Sequence, residues 1–119
     1  MILFGDPNII TNNFIKISSL NDIKNISSNS IVSFKYDLEF MQYCHSNSIK
    51  FAVFIENIAE AVYANILEAS YIIVEKLQAK KIQEIADNYM YDSKILVQIH
   101  SPDEIEWVAL NSIDGAVYI

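Results

Sequence analysis

The chain has 119 residues, which fits one domain with a single hydrophobic core and would leave two domains short of apolar side chains. All eight basic residues are lysines and 15 residues are acidic, so the net charge is −7, which argues against nucleic acid and anionic membranes as partners. Although 52% of the residues are hydrophobic, no apolar run approaches the ~20 residues that a membrane-spanning helix needs.

The first half of the chain consists of short apolar runs between turn signals. Runs 1–4 and 14–17 predict two strands. They are too close in the chain for a helical crossover, so they either pair antiparallel or the first lies elsewhere. Further along, the pattern predicts a short helix from about residue 20 to 26, a strand at 31–34 and a helix at 38–45.

The second half is a gapless repeat, because residues 50–75 and 94–119 align as strand, helix and strand. Such βαβ units predict a parallel sheet with helices packed on it. The predicted strands are 51–55, 71–74, 95–99 and 116–119, and the predicted helices are 57–69, 77–89 and 102–111. Ser101 and Glu104 form a capping-box pattern at the start of the last helix.

Helical periodicity also predicts which side chains face the core. The predicted inward stripe of the first of these three helices is Ile58, Ala61, Val62 and Ile66. That of the second is Leu77, Ile82, Ile85, Ala86 and Tyr89. That of the third is Ile105, Val108 and Ala109, with Trp107 and Leu110 on its flanks.

A family resemblance lies in the same repeats. Residues 57–74 (NIAEAVYANILEASYIIV) and 101–119 (SPDEIEWVALNSIDGAVYI) resemble the helix-to-strand segments of phosphate-binding (βα)8 barrels of the indole-glycerol-phosphate synthase type. Residues 95–100 (ILVQIH) are similar to a strand of that family, with Gln98 where the family has an acidic residue. The resemblance implies βα architecture over roughly the C-terminal half, and no catalytic residue is transferred from it.

The predicted fold is a single α/β domain over residues 1–119, with a mostly parallel open sheet and helices on both faces. The alternative is a half (βα) barrel that a second copy completes. Ile119 belongs to the last predicted strand, whose unpaired edge would be available to a second copy. Homo-oligomerisation is therefore predicted.

A ligand site, if the chain has one, is predicted at the carboxyl ends of the strands, where binding sites of α/β sheets lie. The residue types that follow these strands suit a polar metabolite or a cation, although charged residues at strand ends also serve solvation alone. The candidate ligand-binding residues are Lys35, Glu56, Glu75 and His100. No catalytic residue, metal site or cofactor is predicted.

The two functional hypotheses belong to different classes. The first is a noncatalytic, self-associating interaction or regulatory module, with interface candidates Tyr63, Trp107, Leu110 and Ile119. The second is a protein or enzyme that binds a phosphorylated or carboxylated small molecule at the strand ends. A cytoplasmic location is predicted because no secretory signal is recognisable and because Cys44, the single cysteine, suits a reducing compartment as a buried structural thiol.

Overall fold

A computed structural model describes residues 1–11, 13–27 and 29–119 of the chain. The elements in these ranges are β1 (Ile2–Phe4), β2 (Ile15–Lys16), α1 (Leu20–Lys24), β3 (Val32–Lys35), α2 (Leu38–Ser46), β4 (Phe51–Phe54), α3 (Ile58–Ile66), β5 (Tyr71–Val74), α4 (Lys76–Asn88), β6 (Lys94–Ile99), α5 (Ile105–Leu110) and β7 (Gly115–Tyr118). A 3-10 turn, Pro102–Glu104, leads directly into α5. The predicted elements are confirmed, with differences of a few residues at their ends. None of the helices in these ranges is long and apolar enough to cross a membrane.

The seven strands of the described ranges form one sheet, and every neighbouring pair is parallel. The order across the sheet is β1-β7-β6-β5-β4-β3-β2, so from β2 to β7 each strand lies beside the next one in the chain. The α/β class and the parallel sheet are thereby confirmed. In a doubly wound sheet, the order in which strands are added reverses at a switch point. The consecutive strand order seen here is that of the half-barrel alternative.

The helices cover one face of this sheet. The buried apolar residues of all five helices belong to one cluster, which they share with one side of the strands. The smaller cluster on the opposite side contains no helical residue in the described ranges. Right-handed crossovers that always add the next strand on the same side place every helix on the same face. This arrangement differs from the helices on both faces that were predicted for an open sheet.

The sheet is curled, so that its edges approach each other across the face without helices. In a flat sheet, six strand spacings of ~4.8 Å would hold β1 and β2 about 29 Å apart. Instead, the ring of Phe4 in β1 lies 4.5 Å, centroid to centroid, from the ring of Phe14, which precedes β2. Both rings also lie against Tyr71 at the start of β5, at 5.0 and 5.6 Å. The concave face therefore encloses a second, smaller core in which Ile73 and Leu96 are fully buried.

The last strand lies inside the sheet. β7 has β1 on one side, with Ile2 opposite Gly115, and β6 on the other. The N–H of Ile119 donates to the carbonyl oxygen of Ile99 at 3.0 Å. The prediction that the last strand is an unpaired edge for a second copy is therefore wrong, because β1 already occupies that side. The first apolar run lies elsewhere than beside the second, which is one of the two arrangements that the sequence left open.

Helices α2, α3, α4 and α5 all end in the same way, with a left-handed residue that is not glycine. These residues are Ser48, Glu68, Met90 and Ser112, with φ between 53° and 65°. After α3, the N–H of Ala69 donates to the carbonyl oxygen of Ala64 at 2.9 Å, which is the long hydrogen bond of a Schellman motif. Glycine usually fills the left-handed position because other side chains are strained there. These helix ends therefore carry no glycine signal in the sequence.

Replacing Glu68 by glycine is expected to make the protein about 1 kcal/mol more stable than replacing it by alanine. The reason is that glycine removes the steric cost of the left-handed backbone, which exceeds its own entropic cost. The free energy of unfolding in urea measures the difference. Glu68→Ala is the matched control because it also removes the carboxylate but keeps the Cβ atom. Equal stability of the two variants would contradict the left-handed conformation of residue 68.

Candidate functional site

A small hollow lies at the carboxyl ends of β4 and β5, where a ligand site was predicted. Its volume is about 200 Å³, and its lining residues are Ile55, Glu56, Val74, Glu75, Gln78 and Ile82. The side chain of Gln78 donates to the carbonyl oxygen of Glu56 at 2.6 Å and so ties α4 to the end of β4. Binding pockets for ordinary small molecules have volumes of roughly 300–1,000 Å³. The hollow is therefore smaller than a typical metabolite site.

Two of the four predicted ligand-binding residues meet in this hollow. Glu56 and Glu75 both line it, whereas Lys35 and His100 are not among its lining residues. Lys35 is exposed at the end of β3. The N–H of His100 donates to Glu104 at 2.6 Å, and its ring Nδ1 lies 3.4 Å from the carbonyl oxygen of Ile119. In the described ranges, no group of three or more His, Cys, Asp and Glu side chains is placed to hold a metal ion.

A partly buried hydrogen bond joins the segment after β1 to the end of β7. The hydroxyl of Tyr118 donates to a carboxylate oxygen of Asp6 at 2.6 Å. This hydrogen bond lowers the pKa of Asp6, and burial, followed by the hydrogen bond to Asp6, raises the pKa of Tyr118 to about 12. Both residues are already satisfied by one another. The pair therefore serves to fix the chain as it leaves β1.

The single cysteine is a structural thiol. Cys44 is fully buried in the helix-side core, and burial raises its pKa to about 11. A thiol of such high pKa is protonated at neutral pH and is a poor nucleophile. The predicted role of Cys44 as a buried core residue is confirmed.

Trp107, one of the predicted interface residues, packs within the chain. It is partly buried, and the ammonium group of Lys76 lies 4.9 Å from the centre of its ring. The same ammonium group lies 3.4 Å from the carboxylate of Glu104. These contacts link the start of α4 to α5. Leu110 and Ile119, the neighbouring candidates, are exposed.

The outer face of α3 carries an uninterrupted apolar stripe. We call it the α3 stripe, and its residues are Ala59, Val62, Tyr63 and Ile66. They are spaced i, i+3, i+4 and i+7, which places them on one face of the helix. All four are exposed, with relative exposures of 38% for Val62, 52% for Tyr63 and 63% for Ile66. Tyr63 was a predicted interface residue, whereas its three neighbours in the stripe were not.

The predicted inward stripe of α3 is wrong for Val62 and Ile66. The residues that are buried against the sheet are Ala61 and Ala64. Small residues there let the helix approach the strands closely. Because α3 is apolar on two faces, its periodicity alone cannot tell which face is buried.

The next helix carries a different outer stripe, at the same spacing. We call it the α4 stripe, and its residues are Leu77, Lys80, Lys81 and Glu84. All four are exposed, Leu77 at 95%. Leu77 and Tyr89 were predicted to face the core, and both are exposed instead. In α5, Ala109 was likewise predicted inward and is exposed, while Val108 is buried.

The two stripes have opposite electrostatic surroundings. Residues 51–75, which include α3, contain four glutamates and no basic residue. The first half of α4 contributes three lysines, Lys76, Lys80 and Lys81. Within the described residues, the ion pair of Lys76 with Glu104 is the only one, so the ammonium groups of Lys80 and Lys81 remain available for other contacts.

No protein-family model matches the chain, and a comparison with curated proteins finds no match.

Proposed function

We propose that the protein is a small noncatalytic interaction module that associates with a second copy of itself through the α3 stripe. The supporting observation is that all four residues of this stripe, which share one exposed face of the helix, are apolar and none is charged. An amphipathic helix normally exposes charged and polar residues on its outer face. Contiguous exposed apolar surface is characteristic of interaction sites.

The energetics of such a contact indicate reversible association. Fully burying a valine or isoleucine side chain contributes about 1.5–3 kcal/mol, and the stripe side chains are already partly covered. Association also loses translational and rotational freedom. A contact built on a few such side chains is therefore expected to have a dissociation constant on the order of micromolar.

The charge of the chain favours a protein partner. A net charge of −7 disfavours nucleic acid and anionic lipid. The small-molecule alternative has weaker support, because the hollow that holds Glu56 and Glu75 is small.

The Ile66→Glu variant tests the proposal. A carboxylate at the C-terminal end of the stripe would be buried without a partner in the associated state, so we expect association to weaken at least tenfold, to a largely monomeric protein at concentrations where the wild type associates. Sedimentation equilibrium measures both proteins. Because Ile66 is exposed in the single chain, its unfolding free energy should change by less than about 0.5 kcal/mol.

The matched control is Leu110→Glu, which places the same charge on an exposed leucine of α5. It should associate like the wild type. A wild type that remains monomeric at millimolar concentration, or association lost in Leu110→Glu but kept in Ile66→Glu, would contradict the proposal.

A further inference from the structure

We propose that, in the self-association described above and resting on it, each copy packs its α3 stripe on the α4 stripe of the other. The result is a closed dimer with two identical contacts. The partner is therefore a second copy of this chain, bound by its helix layer. The observation that leads to this arrangement is the opposite character of two neighbouring outer stripes, one apolar with glutamates around it and one rich in lysine.

The geometry of two facing helix layers allows two simple two-fold arrangements. If the symmetry axis runs parallel to the helices, α3 of one copy faces α4 of the other, and the reverse contact forms at the same time. If the axis lies in the interface but perpendicular to the helices, α3 faces α3 and α4 faces α4. Both arrangements form isologous interfaces, as in most homodimers. Shape alone does not choose between them.

Charge selects the first arrangement. Facing α3 helices run antiparallel, so Glu56 before one helix would lie near Glu68 after the other, which brings like charges together. Facing α4 helices would set Lys80 and Lys81 against the same lysines or against Glu84, depending on where the axis crosses α4, and so add no consistent attraction. Like charges in a contact cost free energy, whereas complementary patches steer association and fix its register. In the reciprocal arrangement, both lysines face the acidic surroundings of α3, where Glu56 and Glu68 are exposed.

The residue types of the two stripes also suit one another. Lysine stems are aliphatic and can cover apolar side chains while the ammonium group stays in water. Lys80 and Lys81 can therefore lie over Val62 and Ile66 with their charges near the glutamates. An ammonium group can also stack on the ring of Tyr63. Leu77, exposed at 95%, supplies an apolar side chain at the N-terminal end of the α4 stripe.

The curled sheet limits the contact to neighbouring helices. Because the helices lie on the convex side, a second copy that faces them touches an adjacent pair rather than the whole layer. The two stripes are on consecutive helices, so one adjacent pair supplies both. Two helices from each copy give about twice the contact of α3 alone, and specific interfaces need roughly 600 Å² or more from each partner.

A charge-swap experiment tests the reciprocal contact. One variant combines Lys80→Glu with Lys81→Glu, and a second combines Glu56→Lys with Glu68→Lys. All four side chains are exposed, so both variants should fold. Alone, each variant juxtaposes like charges in both contacts, and we expect association at least about tenfold weaker than in the wild type. Mixed in equal amounts, the two variants restore opposite charges in both contacts.

The expected result is a mixed dimer whose dissociation constant is within about threefold of the wild-type value. Sedimentation equilibrium with one variant fluorescently labelled measures it. The reciprocal contact would be overturned if the variant with Lys80→Glu and Lys81→Glu associated alone like the wild type, or if the mixture remained monomeric. Self-association itself could still stand. A monomeric wild type would overturn both proposals.

Discussion

Gly115→Ala is expected to destabilise the protein by about 3 kcal/mol, the largest effect of any single methyl group that we predict. A Cβ atom at this position would overlap the carbonyl oxygen of Ile2 and lie 2.8 Å from the Cβ atom of Ile2. These atoms belong to β1, which pairs with β7 at this residue. Because the obstacle includes backbone rather than the end of a flexible side chain, β1 has to move away from the sheet. The edge of the concave core would then open.

Gly5→Ala is the matched control for that variant. Gly5 has a φ of 75°, but an added Cβ atom would be no closer than 3.5 Å to Tyr118. Only the left-handed strain remains, which costs about 1–2 kcal/mol. Urea denaturation of the two alanine variants measures both free energies. Equal destabilisation would show that β1 does not lie as close to β7 as the structure places it.

Phe4 and Phe14 are expected to be energetically coupled although six strand spacings across the sheet separate β1, which contains Phe4, from β2, which Phe14 precedes. Because their rings are in contact and partly buried, Phe4→Ala and Phe14→Ala should each destabilise the protein by about 2–3 kcal/mol, somewhat less than a fully buried phenylalanine. The double variant should lose less than the sum, with a coupling of about 0.5–1.5 kcal/mol, as aromatic pairs show.

The control cycle pairs Phe14→Ala with Phe51→Ala. Phe51 is buried in the helix-side core, on the opposite face of the sheet. These two substitutions should add to within about 0.5 kcal/mol. Additivity for Phe4 and Phe14 as well would mean that the edges of the sheet do not approach each other. The sheet would then be open and flat.

Local sequence signals are sufficient to predict most elements of this fold. The run 51–54 lies on a strand covered on both faces, and the repeat of 50–75 in 94–119 predicts parallel βαβ units. Capping is also readable, since Glu104 accepts from the N–H of Ser101 at 3.2 Å, as the capping-box pattern predicts. These signals depend on residues close in the chain, where a pattern and its structure coincide.

Strand order and the placement of β1 depend on contacts between distant residues. The crossover rule fixes the handedness of each βαβ unit but not the side on which the next strand is added. A half barrel and a doubly wound sheet therefore share the same local pattern. The pairing of Ile2 with Gly115 joins the two ends of the described chain, and no periodicity predicts it.

The candidate surfaces were predicted only in part. Tyr63 was identified as an interface candidate, but Val62 and Ile66 were assigned to the core because both faces of α3 are apolar. Leu77 was assigned to the core together with the other apolar residues of α4, although it lies on the outer face with Lys80 and Lys81 and is exposed. At the strand ends, Glu56 and Glu75 meet because β4 and β5 are neighbours.

The most direct test of the proposed role of α3 is an NMR dilution series of the uniformly ¹⁵N-labelled wild-type protein. The protein concentration runs from about 1 mM down to about one tenth of the micromolar dissociation constant that is expected for such a contact. Amide signals of α3 and the first half of α4 should shift with concentration, most strongly around Val62, Tyr63 and Ile66. Concentration-independent spectra throughout, or shifts centred on the concave face or on α5, would contradict the outer face of α3 as the surface through which this protein associates.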